Sequence, residues 1–96
     1  MADLVTLKIN ENVAEITMDD GKANVLSHSM FDQLYEAFDV AEKEKTIVIL
    51  QGRDGLFSGG FDLKELSKGP KEALELTSRG SRFARRILSF STPVIG

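Results

Sequence analysis

The run Ile47-Val48-Ile49-Leu50 constrains the fold more than any other feature of the chain. It is continuously apolar, rich in β-branched residues, and bounded by charge before it and by Gly52 after it. Stiff, branched side chains suit a pleated surface. A run this short reads as a strand, and its unbroken apolarity predicts burial on both faces, as in a parallel sheet covered by helices.

The segments around it have clear periods. Val5, Leu7 and Ile9 alternate with polar residues, and Val13 to Met18 does so again after the turn signal Glu11-Asn12, so the pair predicts a hairpin. Asp19-Asp20-Gly21-Lys22 breaks the alternation. Ser27 then offers an N-cap, and Phe31, Leu34, Phe38 and Ala41 fall on one stripe of an amphipathic helix ending near Lys43 to Lys45. Asp32, Glu36, Asp39 and Lys43 face away from that stripe. Phe61 to Leu66 predicts a short helix, and Pro70 suits the first turn of a longer one. Ala73, Leu76, Gly80, Phe83, Ile87 and Phe90 keep helical spacing to about Phe90, Pro93 ends it by disfavouring α geometry at Thr92, and Val94-Ile95 opens another buried strand.

Composition narrows the function classes. The 96 residues carry 42 % apolar and 28 % charged side chains, the balance of a globular domain. A net charge of −3 argues against a general nucleic-acid binder, which needs a basic face for phosphates. There is no cysteine, so disulfides, thiolate metal sites and cysteine nucleophiles are excluded. Met1-Ala2-Asp3-Leu4 shows no basic stretch followed by an apolar run, and no apolar run approaches membrane-spanning length. The expectation is a cytoplasmic protein with no membrane segment.

The richest stretch for chemistry runs from Gly52 to Lys64, with glycines at 52, 55, 59 and 60 between the strand and the short helix. Adjacent glycines let a backbone approach a ligand, and a helix start adds unpaired N–H groups. Such a loop suits a phosphate, a carboxylate or the oxyanion of a polarised carbonyl. Gly55 and Gly60 have P-loop spacing, but Phe61-Asp62 stand where lysine and a hydroxyl residue are needed. No G-x-G precedes the helix, and Leu56-Phe57 before Ser58 breaks the nucleophile-elbow pattern.

Leu56-Phe57-Ser58-Gly59-Gly60-Phe61-Asp62-Leu63-Lys64-Glu65-Leu66 resembles the signature of the enoyl-CoA hydratase/isomerase (crotonase) family, F-(S/A)-(A/G)-G-x-D-(L/I)-K. Asp20-Gly21-Lys22-Ala23-Asn24-Val25-Leu26-Ser27 resembles the family's first CoA-contacting loop, and Thr92-Pro93-Val94-Ile95 resembles the strand entering its second oxyanion loop. The resemblance implies an α/β fold, the N-terminal part of a crotonase-like (ClpP/crotonase) spiral: a β-hairpin, then βα units, with the sheet incomplete. Residues 1–96 would form the N-terminal fragment of one such domain, ending inside a core strand. The implied ligand is an acyl-CoA thioester, used as substrate with no metal or other cofactor. The catalytic group would be the backbone amide of Phe61, donating to the thioester carbonyl. Gly59, Gly60, Asp62 and Leu63 would line the adenine and pantetheine path, with backbone contacts from Ala23 and Val25. Phe61 stands where the family has a small residue, so its side chain is expected to narrow or redirect the acyl pocket. The family's second donor and acid–base carboxylates fall after Gly96, so a finished hydratase or isomerase is not expected from these residues alone. The alternative is a non-catalytic, self-associating or acyl-CoA-binding module. The family's trimer-based assembly implies a homo-oligomer.

Simpler readings hold elsewhere. His28 reads as a cap or solvent residue beside Ser27. Arg79, Arg82 and Arg86 read as a solvated face paired with Glu72 and Glu75. Asp62 reads as a helix cap, Glu65 as lying outside the pocket, and Phe31, Phe38, Phe83 and Phe90 as core.

Overall fold

The computed structural model describes residues 3–96; the Met1-Ala2 start of the chain lies outside the described residues. Strands β1 (Val5–Asn10) and β2 (Val13–Met18) form the predicted antiparallel hairpin, with Leu7 opposite Ile16 and Lys8 opposite Glu15. Glu11 turns the chain with a left-handed φ of 57°. A two-residue strand β3 (Val25–Leu26) precedes helix α1 (His28–Lys43). Ser27 caps that helix, its Oγ accepting from the Met30 N–H at 3.1 Å. Strand β4 (Ile47–Gln51) follows. Next come β5 (Gly60–Phe61), the one-turn helix α2 (Leu63–Leu66), α3 (Pro70–Leu88) and β6 (Val94–Ile95).

The main sheet has the order β1-β2-β4-β6, and β4 runs parallel to both of its neighbours. Helix α1 lies across one face. Its Phe31, Leu34, Phe38 and Ala41 meet Ala14, Ile16 and Met18 of β2 and Val48 and Leu50 of β4, all of them buried. Helix α3 closes the layer with Leu76 and Phe83, whose ring meets Phe38 edge-on at 5.2 Å. Gln33 ties α1 to the start of β1, its Oε1 accepting from the N–H groups of Leu4 at 2.7 Å and Val5 at 3.0 Å. Among the described residues no helix is long and apolar enough to cross a membrane.

The expectation of two buried faces for β4 is overturned. Val48 and Leu50 are buried under α1, whereas Ile47 is 37 % exposed and Ile49 half-buried. The helices of this chain pack on one side of the sheet, leaving Ile47, Ile49 and Ile95 on the other. An apolar run reports only that neither face prefers water; it does not report what covers each face.

Candidate functional site: two interlaced loops

The segment from Asp19 to Ser27 and the glycine loop from Gly52 to Asp62 are bound together along their length. Asp20 organises the first. Its carboxylate accepts from the N–H groups of Lys22 at 2.7 Å, Asn24 at 2.9 Å and Val25 at 3.0 Å. Burial opposes ionisation of Asp20, but these three donors, joined by the Arg53 guanidinium, outweigh it and hold its carboxyl below the ordinary carboxylate range. Asn24 is wholly buried, with a left-handed φ of 52°. Its Nδ2 donates to the Met18 carbonyl at 2.8 Å and its Oδ1 accepts from the Asp20 N–H at 2.9 Å.

The second loop is laid onto the first. Ser58 Oγ donates to the Asn24 carbonyl at 2.8 Å and accepts from the Gly60 N–H at 3.0 Å. The Gly59 N–H donates to the Ala23 carbonyl at 2.7 Å. A Cβ on Gly59 would stand 2.9 Å from that same oxygen, so close approach of two backbones is what requires glycine there. Arg53 Nε lies 3.2 Å from Asp19, and its Nη1 donates to the Lys22 carbonyl. Ser58 is thus a structural hydroxyl. Beyond these contacts β3 and β5 pair in parallel, Val25 opposite Gly60 and Leu26 opposite Phe61.

That pairing decides where the next backbone donors point. The Asp62 N–H donates to the Leu26 carbonyl at 3.2 Å, toward β3. Successive peptide groups of a strand face opposite edges, so the Phe61 N–H is aimed at the other edge of β5. Among the described residues no strand pairs with that edge. Gly60 sets the approach with a φ of +94°, which side-chain-bearing residues avoid. Asp62 sets the exit, its Oδ1 capping α2 at the Lys64 N–H at 3.1 Å. The short helix therefore starts at Leu63 rather than Phe61, because residues 60 and 61 are drawn into a strand. Gly59 and Gly60 donate within the protein, and the Phe61 N–H is directed at the edge of β5 that β3 does not occupy.

The Phe61 ring turns toward the helices. It packs against Gly80 of α3 and Phe31 of α1, with the two phenylalanine centroids 6.5 Å apart. An apolar cavity of about 320 Å³ adjoins the loops, bordered by Met18, Leu26, Leu50, Phe57, Ser58 and Phe83 among others, and Phe61 is not part of its wall. Ala23, Val25, Gly59, Gly60, Asp62 and Leu63 likewise lie along the loop strip rather than in that wall. Leu63 is 77 % exposed at its end.

The profile of the enoyl-CoA hydratase/isomerase family matches residues 8–96. The chain belongs to that family. A probable enoyl-CoA hydratase of Bacillus subtilis (strain 168) is 32 % identical over 95 residues, which is 95 % of this chain and 37 % of the relative. The crystal structure of an enoyl-CoA hydratase/isomerase family protein from Pseudomonas syringae superposes with a TM-score of 0.92 at 38 % identity, covering 95 % of this chain and 40 % of that one. A probable enoyl-CoA hydratase from Mycobacterium tuberculosis gives 0.90 at 37 % identity over 96 % of this chain and 40 % of its own. The enoyl-CoA hydratase/isomerase fold is therefore the fold of this chain, which spans about two fifths of the length of these relatives.

Sequence reasoning missed Asn24, β3 and β5. Two-residue strands carry no period, and an asparagine in a turn gives no sign that its side chain is buried. The arginine partners were also misplaced. Arg79 pairs with Asp32 at 2.6 Å, and Arg86 pairs with Asp39 at 2.9 Å and Glu42 at 3.0 Å, so the ion pairs bridge α3 to α1 instead of running along α3. His28 joins this set: its Nδ1 is 3.2 Å from Arg79 and its Nε2 is 3.6 Å from Glu65. Glu65 is held below the usual carboxylate range by the Lys68 ammonium 2.8 Å away, with His28 adding to the effect.

Proposed function

We propose that this chain supplies an acyl-thioester-binding part of an enoyl-CoA hydratase/isomerase site, with the Phe61 N–H as one oxyanion donor. The observation carrying this reading is the outward-facing Phe61 N–H on the unpaired edge of β5, held between Gly60 and the Asp62 cap. A donor fixed before reaction needs no reorganisation as negative charge builds on the thioester oxygen, and losing one such donor typically costs about 3 kcal/mol of barrier. The neighbouring cavity, apolar along most of its wall, suits a hydrocarbon chain better than a phosphate.

On this reading coenzyme A thioester is the substrate, no metal or redox group takes part, and the setting is cytoplasmic. Ala23, Val25, Gly59, Gly60, Asp62 and Leu63 flank the bound thiol ester arm. The chain spans about two fifths of its relatives' length, and binding rather than turnover is what is proposed for these residues. Self-association is part of the same proposal, supported by the exposed Ile47 and Ile95 on the uncovered face of the sheet.

Titrating the ¹⁵N-labelled chain with the ketone analogue of crotonyl-CoA, in which a methylene replaces the thioester sulfur and the carbonyl oxygen is kept, tests it. The Phe61 amide should show the largest shift, with smaller ones at Gly59 and Leu63. Unmoved resonances from Ser58 to Leu63 at millimolar analogue would overturn the reading.

A further inference from the structure

Resting on that reading, we infer that Gly80 is a positioning residue for the thioester-binding amide: its missing side chain forms the notch on α3 that seats the Phe61 ring and so places the Phe61 N–H. A Cβ at Gly80 would stand 2.6 Å from Phe61 Cζ and 2.7 Å from Cε1, closer than side-chain carbons approach. The same Cβ would lie 3.7 Å from Phe31 Cζ, so the ring is held between two helices. Gly80 sits inside the nineteen-residue α3, where glycine is the least favourable residue after proline. A glycine at such a place calls for a packing reason, and the close approach of the ring supplies one.

The geometry makes the ring the handle of the donor. Strand β5 has two residues, and Gly60 contributes no side chain. Phe61 therefore supplies the only side-chain anchor of the strand, and ring and N–H share one Cα. A shift of the ring away from α3 carries the N–H with it. The resemblance puts a small residue at this position, where such a handle would not exist; here α3 and the donor are mechanically joined.

A double-mutant cycle in the 96-residue chain separates this from a merely structural role. Gly80→Ala should weaken binding of the ketone analogue about tenfold, a typical coupling for residues in contact, yet change affinity by less than about twofold in the Phe61→Ala background, where the new methyl meets only Phe31 at ordinary contact distance. Equal effects in both backgrounds would overturn the inference. Should Gly80→Ala fail to fold, Phe61→Ala decides: it keeps the backbone N–H but loses the handle, and an unchanged Kd would refute positioning. If the wild-type chain binds no analogue, the proposed function has failed, and the free protein decides the inference. Its residue-61 amide must then shift in Gly80→Ala, and an unmoved resonance overturns the positioning role.

Discussion

The side-chain amide of Asn24 donates to the carbonyl oxygen of Phe57 at 3.1 Å, joining two loops whose residues lie 33 positions apart. The same nitrogen reaches Met18 at 2.8 Å, so one buried group fastens the end of β2 to both loops. The parallel pairing of β3 with β5, and hence the direction of the Phe61 N–H, is built on this junction.

Asn24→Ala should therefore destabilise the chain by about 3 kcal/mol, since it strands buried polar groups and forces alanine into a left-handed φ. Urea denaturation reads the change. Asn24→Gly, which keeps the backbone conformation but not the hydrogen bonds, should recover less than half of it. Full recovery would mean that conformation alone accounts for the residue.

Gly59 and Gly55 predict opposite patterns. Gly55 has φ +75° and open space around it, so Gly55→Ala should cost about 1 kcal/mol of backbone strain and leave its neighbours in place. Gly59→Ala pushes a methyl against the Ala23 carbonyl and should part the two loops. Hydrogen exchange at Ser58 to Asp62 should rise sharply in the second variant and stay unchanged in the first.

Asp20 sets an acid limit on stability. Its folded carboxyl titrates below its unfolded value, so the stabilisation is complete above the unfolded pKa of about 4 and is lost as pH falls through the lower folded value. Stability measured from pH 5 downward should decline in that window. Asp20→Asn should flatten part of that decline, and an identical slope in the variant would count against the assignment.

Arg86 clamps α3 to α1. It pairs with Asp39 and Glu42 and lies 5.1 Å from the centre of the Phe90 ring. Arg86→Ala should cost about 1 to 2 kcal/mol, partly screened by salt, because packing and cation–π contact are lost with the charge. Arg86→Lys should restore only part, as lysine lacks the planar fork that meets two carboxylates at once. A thermal melt of each variant at low and high salt distinguishes the two contributions.

Much of this protein was legible without coordinates because it is written in short-range spacing. The alternation of Val5 to Met18, the stripe from Phe31 to Ala41, the Ser27 cap and the start of α3 at Pro70 each rest on a few residues and came out where expected, while α3 ends at Leu88, short of the Phe90 to which the spacing ran. The glycine loop was recognisable too, as a pattern of residue types in order, and the family followed from it.

Tertiary structure decided everything that depends on partners far along the chain. Which carboxylates receive Arg79 and Arg86, which face of β4 is covered, that Asn24 is buried, and which amide of the glycine loop faces outward all depend on contacts across roughly 30 to 50 residues. Local periodicity cannot express such contacts, since hydrogen-bond partners and close packing are chosen by where the backbone arrives, not by what surrounds a residue in sequence.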